Sequence, residues 1–208
     1  MTTIAVLDYG IGNLRSAQKA LQHVGADAHL TADPGLIAAA DGIVLPGVGA
    51  FGRCMEAMRA SGLDRVAIDA IEADRPFLGI CIGMQMLYES SEEAPDVRGL
   101  GVLKGRVRRL PEGVKRPQMQ WNVLEPSRAS GLLDGLADPV WVYFDHSYAP
   151  EMSVDVVATC DYGGAITAAV ERGRLWATQF HPEKSSALGL ALLGNFVRAV
   201  DQVAAGAS

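Results

Sequence analysis

The chain is short of several things, and each shortage removes a class of explanation. Its 208 residues carry 18 Lys and Arg against 24 Asp and Glu, a formal net charge of −6. That balance gives no general attraction to a phosphate backbone or an anionic membrane. Only three cysteines occur, Cys54, Cys81 and Cys160. They are odd in number, far apart and without a CxxC, which argues against a disulfide framework and a structural zinc site. The apolar run after Met1 ends at Asp8 with no basic segment before it, so a signal peptide is not expected. No stretch reads as the roughly 18 apolar residues of a membrane span. A cytoplasmic, reducing setting is the expectation.

Hydrophobic residues make up 49% and charged residues 20%, a globular balance, and the length favours a single domain over residues 1–208. Thr3 to Leu7 reads as an apolar strand. Leu14, Ala17, Leu21 and Val24 then recur at helical spacing until Gly25. Ala28–Leu30, Gly42–Leu45 and Pro76–Ile80 read as further strands, separated by a short helix opened at Asp33 and Pro34 and a helical region through Asp74. Gly83–Glu89 reads as a helix. This βαβ rhythm predicts an open, mostly parallel α/β sheet flanked by helices. Five later strands with few helices between them, Val102–Leu110, Trp141–Phe144, Val154–Thr159, Ile166–Val170 and Leu175–Phe180, predict an antiparallel portion in the second half. A helix over Ser186–Val203 closes the chain. Ser91–Gly101 reads as a solvated loop.

Cys81 falls where an apolar strand meets Gly83 and a helix. Small residues on both sides, Gly79 and Gly83, permit the sharp turn of a nucleophile elbow, and a helix amino terminus favours thiolate over thiol. A cysteine picked at random is more often a buried small hydrophobe, and Cys54 and Cys160 read that way. His181 lies in Gln179-Phe-His-Pro-Glu183, where Pro182 keeps it extended. Residues two apart in an extended segment share a side, so Glu183 can reach one edge of the ring while the other faces a nucleophile. Thiolate, imidazole and orienting carboxylate are what acyl transfer requires. Spacing alone does not bring residues 81 and 181 together.

Two other chemistries find little support. Gly10-Ile-Gly12 follows a strand, but the third glycine of a dinucleotide fingerprint would fall at Arg15, and no GxxxxGK[ST] loop exists. The four histidines show no HExxH and no ligand pairing with cysteine, so neither a metal nor an organic cofactor is expected.

Taken together, Pro76-Phe-Leu-Gly-Ile-Cys-Ile-Gly-Met-Gln85 and Gln179-Phe-His-Pro-Glu183 resemble the class I glutamine amidotransferases, whose fold is flavodoxin-like. Asp8-Tyr-Gly-Ile-Gly-Asn-Leu-Arg15, Pro46-Gly-Val-Gly-Ala-Phe-Gly52 and His181-Pro-Glu-Lys-Ser185 narrow the likeness to glutaminase subunits of imidazole glycerol phosphate synthase. The resemblance implies hydrolysis of L-glutamine, with ammonia passed to a cyclase subunit in a heterodimer serving histidine biosynthesis. It implies that Cys81 is the nucleophile, His181 the acid/base and Glu183 the orienter. Gly47, Val48 and Gly49 match the oxyanion segment. Gln85 and the His146, Ser147, Tyr148 segment match substrate-holding positions; read as residues alone, Gln85 is equally the polar face of a helix and His146 a capped strand end. Asn13, Trp121, Asn122, Tyr143 and Lys184 match the junction with the cyclase, although Asn13 read alone is also a helix cap. The chain departs from the usual pattern at Gln118, Gln120 and Asp145, on the partner-facing side, which leaves another ammonia-consuming synthase open as partner.

Overall fold

The computed structural model describes residues 1–12 and 14–206. In chain order its elements are β1 (Thr3–Leu7), α1 (Leu14–His23), β2 (Asp27–Thr31), α2 (Pro34–Ala39), β3 (Gly42–Gly47), α3 (Phe51–Ala60), α4 (Leu63–Glu72), β4 (Phe77–Cys81) and α5 (Ile82–Met86). The second half continues with β5 (Tyr88–Ser91), β6 (Leu103–Arg109), β7 (Gln118–Val123), β8 (Glu125–Pro126), β9 (Trp141–His146) and β10 (Tyr148–Pro150). It ends with β11 (Val156–Asp161), β12 (Ala165–Arg172), β13 (Leu175–Thr178), a 3-10 turn at Pro182–Lys184 and α6 (Ser186–Gly206).

Eight strands form one sheet in the order β2-β1-β3-β4-β13-β12-β11-β8. From β2 to β13 neighbouring strands run parallel, and from β13 to β8 they run antiparallel. The mostly parallel α/β architecture with an antiparallel limb is therefore as the residue pattern indicates. Every residue of β3, β4 and β13 is buried, which is why these segments read as continuous apolar runs rather than alternating ones. Helices α1 and α6 pack together, and α3 packs on both α4 and α5. Two smaller sheets, β10-β6-β5 and β7-β9, sit beside the main one.

Local chemistry explains several boundaries. Asp33 caps α2, its Oδ1 accepting from the amides of Gly35 at 2.7 Å and Leu36 at 3.0 Å. The helical region expected through Asp74 is two helices, because Ser61 and a left-handed Gly62 interrupt it. The helix expected over Gly83–Glu89 is shorter: α5 stops at Met86 and Tyr88–Ser91 pairs with β6 as β5.

Two expectations are corrected. Ser91–Gly101 is not simply a solvated loop, because Ala94, Val97 and Leu100 pack against the core and Glu93 turns inward. The closing helix α6 is, by length and composition, apolar enough to cross a membrane. Its Leu192, Leu193, Phe196 and Val200 are instead buried, with Phe196 edge-on to Trp176 of β13 at 5.9 Å between ring centres.

Candidate active site

Strand β4 ends at Cys81, whose φ of 55° and ψ of −110° place it in a region that side-chain-bearing residues rarely occupy. Such backbone strain is found where surrounding structure over-determines a turn. The determinants are visible. A Cβ on Gly83 would stand 1.8 Å from the Leu45 carbonyl oxygen, so α5 can leave β4 this tightly only because residue 83 has no side chain. Gly47, paired with Cys81 across the β3–β4 ladder, is equally constrained: a Cβ there would meet the Tyr9 hydroxyl at 2.5 Å. The sulfur is thereby presented at the carboxyl edge of the parallel sheet, where open α/β folds bind their ligands.

Strand β13 lies directly beside β4, with Thr178 opposite Ile80. The chain beyond it therefore arrives next to Cys81 carrying Gln179 and His181, which resolves the wide separation of the two in sequence. His181 Nδ1 donates to Glu183 Oε1 at 2.7 Å, and both side chains are buried. Burial alone would push the His181 imidazole down. Hydrogen bonding to Cys81 and Glu183, and their negative charge, more than offset it and hold the group up at about 10. His181 thus favours the protonated form, with its second ring nitrogen free to serve the sulfur.

Cys81 and His181 open into one cavity of about 250 Å³ lined also by Val48, Gly49, Ile82, Gln85, Glu93, Pro117, Asp145, His146, Ser147 and Tyr148. Gly47 stands behind Val48 and Gly49 rather than in the lining. The loop is held from two sides: the Tyr9 hydroxyl donates to the Pro46 carbonyl at 2.8 Å, and the Cys54 thiol to the Val48 carbonyl at 3.5 Å. Cys54 is thus a loop contact as well as core. Gln85, 1% exposed, donates through Nε2 to the Tyr148 carbonyl at 2.8 Å and to Gln179 Oε1 at 3.0 Å, leaving its Oε1 without a protein partner. His146 Nδ1 donates to the same Tyr148 carbonyl at 2.9 Å. Burial, aided by the charge of His181, pushes His146 down to about 4 against that hydrogen bond, so it is neutral and its unpartnered Nε2 is an acceptor.

Beside the cavity, β7 and β9 pair so that Trp121 is opposite Tyr143 and Met119 opposite Asp145. Trp121 is exposed and edge-on to Tyr143 at 6.1 Å, and Lys184 Nζ stands 6.0 Å over the Tyr143 ring. These three expected junction residues form one cluster. Asn122 does not join it: its Nδ2 donates to the Asp161 carbonyl and its Oδ1 accepts from the Val123 amide. Asn13 lies outside the described residues. Gln118 is buried and donates weakly to the Cys160 sulfur, while Gln120 is exposed.

Two residues at the site had no role predictable from their sequence neighbours. Glu93 sits in an acidic, proline-bearing stretch that looks like any solvated loop, yet its Oε2 accepts from the Phe51 amide at 2.8 Å and its side chain lines the cavity with Cys81. Gln179 stands within the quoted motif, but nothing in its type or spacing announces a contact with the sulfur. Among the described residues, no group of three His, Cys, Asp or Glu could hold a metal ion.

A cysteine at a strained strand-to-helix turn, faced by a histidine–glutamate pair from the chain just beyond the adjacent parallel strand, has the arrangement of a cysteine-centred acyl-transfer site. Residues 5–200 match the family described as glutamine amidotransferase class-I, and the chain belongs to that family. Within it, the chain is 48% identical to imidazole glycerol phosphate synthase subunit HisH of Symbiobacterium thermophilum, covering 96% of this chain and 95% of that one. It is 50% identical to the protein of the same name from Methanothermobacter thermautotrophicus, over 95% and 98% of the two chains. Solved structures share the fold at lower identity. A chain of the PurLQS structure from Thermotoga maritima superposes with a TM-score of 0.72 at 20% identity, covering 98% of this chain and 99% of the other. A structure titled glutamine amidotransferase does so with 0.71 at 22%, over 97% and 98%.

Proposed function

We propose that this protein is the glutaminase subunit of an imidazole glycerol phosphate synthase, hydrolysing L-glutamine to glutamate and ammonia for a cyclase subunit in histidine biosynthesis. The observation that carries the chemistry is the meeting of Cys81 with His181, itself bonded to Glu183, in one cavity. The family and the HisH relatives carry the pathway.

In this reading, the protonated His181 already holds the proton given up by Cys81, and the thiolate attacks the amide carbon of glutamine, forming a C–S bond and a tetrahedral oxyanion. Val48 and Gly49 line the cavity beside Cys81, and a backbone amide of that segment turned toward the substrate would receive that negative charge. The His181 imidazolium gives its proton to the leaving nitrogen, the C–N bond breaks, and ammonia departs. Water, deprotonated by His181, then cleaves the thioester and releases glutamate with the thiol restored. Glu183 keeps Nδ1 protonated, so that Nε2 serves the sulfur throughout.

The remaining lining suits the substrate. The unpartnered acceptors Gln85 Oε1 and His146 Nε2, with the carboxylates of Glu93 and Asp145, answer the ammonium and amide hydrogens of glutamine. Ser147 and Tyr148 contribute the adjoining wall. The cyclase docks on the face formed by exposed Met119 and Trp121 with half-buried Tyr143 and Lys184, giving a heterodimer whose junction opens beside the cavity. The chain acts as one domain in the cytoplasm.

The test is glutamate release by wild type and Cys81→Ala, each alone and with the cyclase and its nucleotide ligand. Release that needs both the cyclase and Cys81 is expected. Equal release by the two proteins would remove the cysteine mechanism, and Cys81-dependent release indifferent to the cyclase would remove the pathway.

A further inference from the structure

The sulfur of Cys81 receives a hydrogen bond that the triad does not supply. Gln179 is fully buried, and its Nε2 lies 3.7 Å from Cys81 Sγ, within the range of an N–H to sulfur bond. An amide side chain presents an oxygen and a nitrogen of nearly the same shape, so which of them faces the sulfur must be argued from its partners. Here the partners leave one arrangement. The Tyr148 carbonyl can only accept, so the Gln85 atom 2.8 Å from it is the NH₂ group. That same nitrogen stands 3.0 Å from the Gln179 side chain, which must answer with its oxygen. The other end of the Gln179 amide, its NH₂, then points at Cys81. The chain of orientation runs from a backbone carbonyl on β10, through two buried amides, to the sulfur.

We propose that Gln179 is a further catalytic residue, whose side-chain amide donates to Cys81 Sγ and stabilises the thiolate form, and that Gln85 acts through it as a positioning residue. A donor fixed against a sulfur favours the charged form, because the hydrogen bond strengthens as the proton leaves. The site lies in a buried pocket where that interaction is only weakly screened. Gln179 reaches the sulfur from the first residue after β13, while His181 approaches from two residues further on. The two therefore serve different needs. His181 moves the proton, and Gln179 holds the charge that remains. The single nitrogen that anchors Gln85 also explains why the Gln85 oxygen is left free: the amide is oriented by its nitrogen end.

This inference takes Cys81 as the reacting group from the glutaminase reading but does not need glutamine turnover for its test. Gln179→Met removes the donor at nearly constant volume, and Gln179→Leu removes it with a shorter, uncharged side chain. Alkylation of Cys81 by iodoacetamide is followed by mass spectrometry of the Cys81 peptide at pH 7 and pH 9, alongside thermal melts and glutamate release with the cyclase. Expected are melts close to wild type, with Cys81 alkylation about ten-fold slower at pH 7 and little changed at pH 9 in both variants. Glutamate release should fall about as much in kcat/KM. Slowing by the same factor at both pH values, or none at either, would overturn the proposal, since a merely structural role has no reason to depend on pH. If one variant fails to fold, the other decides by the same comparison. If wild type alkylates as expected but releases no glutamate with the cyclase, the glutaminase reading fails while the alkylation profile still judges Gln179.

Discussion

At the scale of single residues, the buried histidines make opposite contributions to stability as pH changes. His181 is held up at about 10, so its contribution is fully present below its ordinary value of 6.5 and is lost as pH rises through 10. His146 is pushed down to about 4, so its contribution is present above 6.5 and is lost as pH falls through 4. The two windows meet near 6.5, and urea unfolding from pH 4 to 10 should show its greatest stability there. His146→Gln should flatten the acid limb and leave the alkaline one. A second prediction concerns the orienting carboxylate. Glu183→Gln keeps the shape but lets the amide donate to Nδ1, which turns the tautomer so that Nε2 carries the wrong proton state. Glutamate release should fall roughly 10²- to 10⁴-fold in kcat with little change in melting temperature; a loss confined to KM would count against that role.

At the scale of elements, the site depends on how β4 passes into α5. The strained Cys81 backbone is tolerated because β3 and α5 approach each other closely at Gly47 and Gly83. A Cβ at Gly83 would meet backbone, not a movable side chain, so Gly83→Ala should destabilise by at least about 3 kcal/mol. Calorimetric unfolding measures that, and a loss under about 1 kcal/mol would mean that the elbow can relax. The lengths of α5 and β5 were not legible in the sequence. Met84, Met86 and Tyr88 suit a helix as well as a strand, and only pairing with β6 decides where one ends. For the same reason β7 has no clear signature: Gln118–Val123 has mixed polarity and is a strand because β9 offers it a partner.

At the scale of the whole molecule, activity should depend on docking. The cluster of Trp121, Tyr143 and Lys184 borders the cavity mouth where Asp145 stands on the same strand as Tyr143. An exposed tryptophan backed by a tyrosine is the kind of anchor that carries interface energy. Trp121→Ala should weaken cyclase binding at least about ten-fold, read by titration calorimetry, while Cys81 alkylation in the lone protein stays as in wild type. Unaltered affinity would place the junction elsewhere on the surface.

What the sequence determined by itself is what local chemistry dictates: the parallel rhythm of apolar strands and helices, the glycine-flanked turn at Cys81, and the extended backbone of His181 before Pro182; Glu183 itself reaches the ring from a 3-10 turn, not from an extended segment. Each follows from neighbours within a few residues. What only the tertiary structure decided is everything that depends on strands becoming adjacent. Placing β13 beside β4 brings residue 181 to residue 81, and the wider fold turns Glu93 inward onto the start of α3 and lets Gln85 orient Gln179 against the sulfur. Sequence patterns record which face of an element is buried, but not which neighbour covers it, and the chemistry of this site is made by the neighbours.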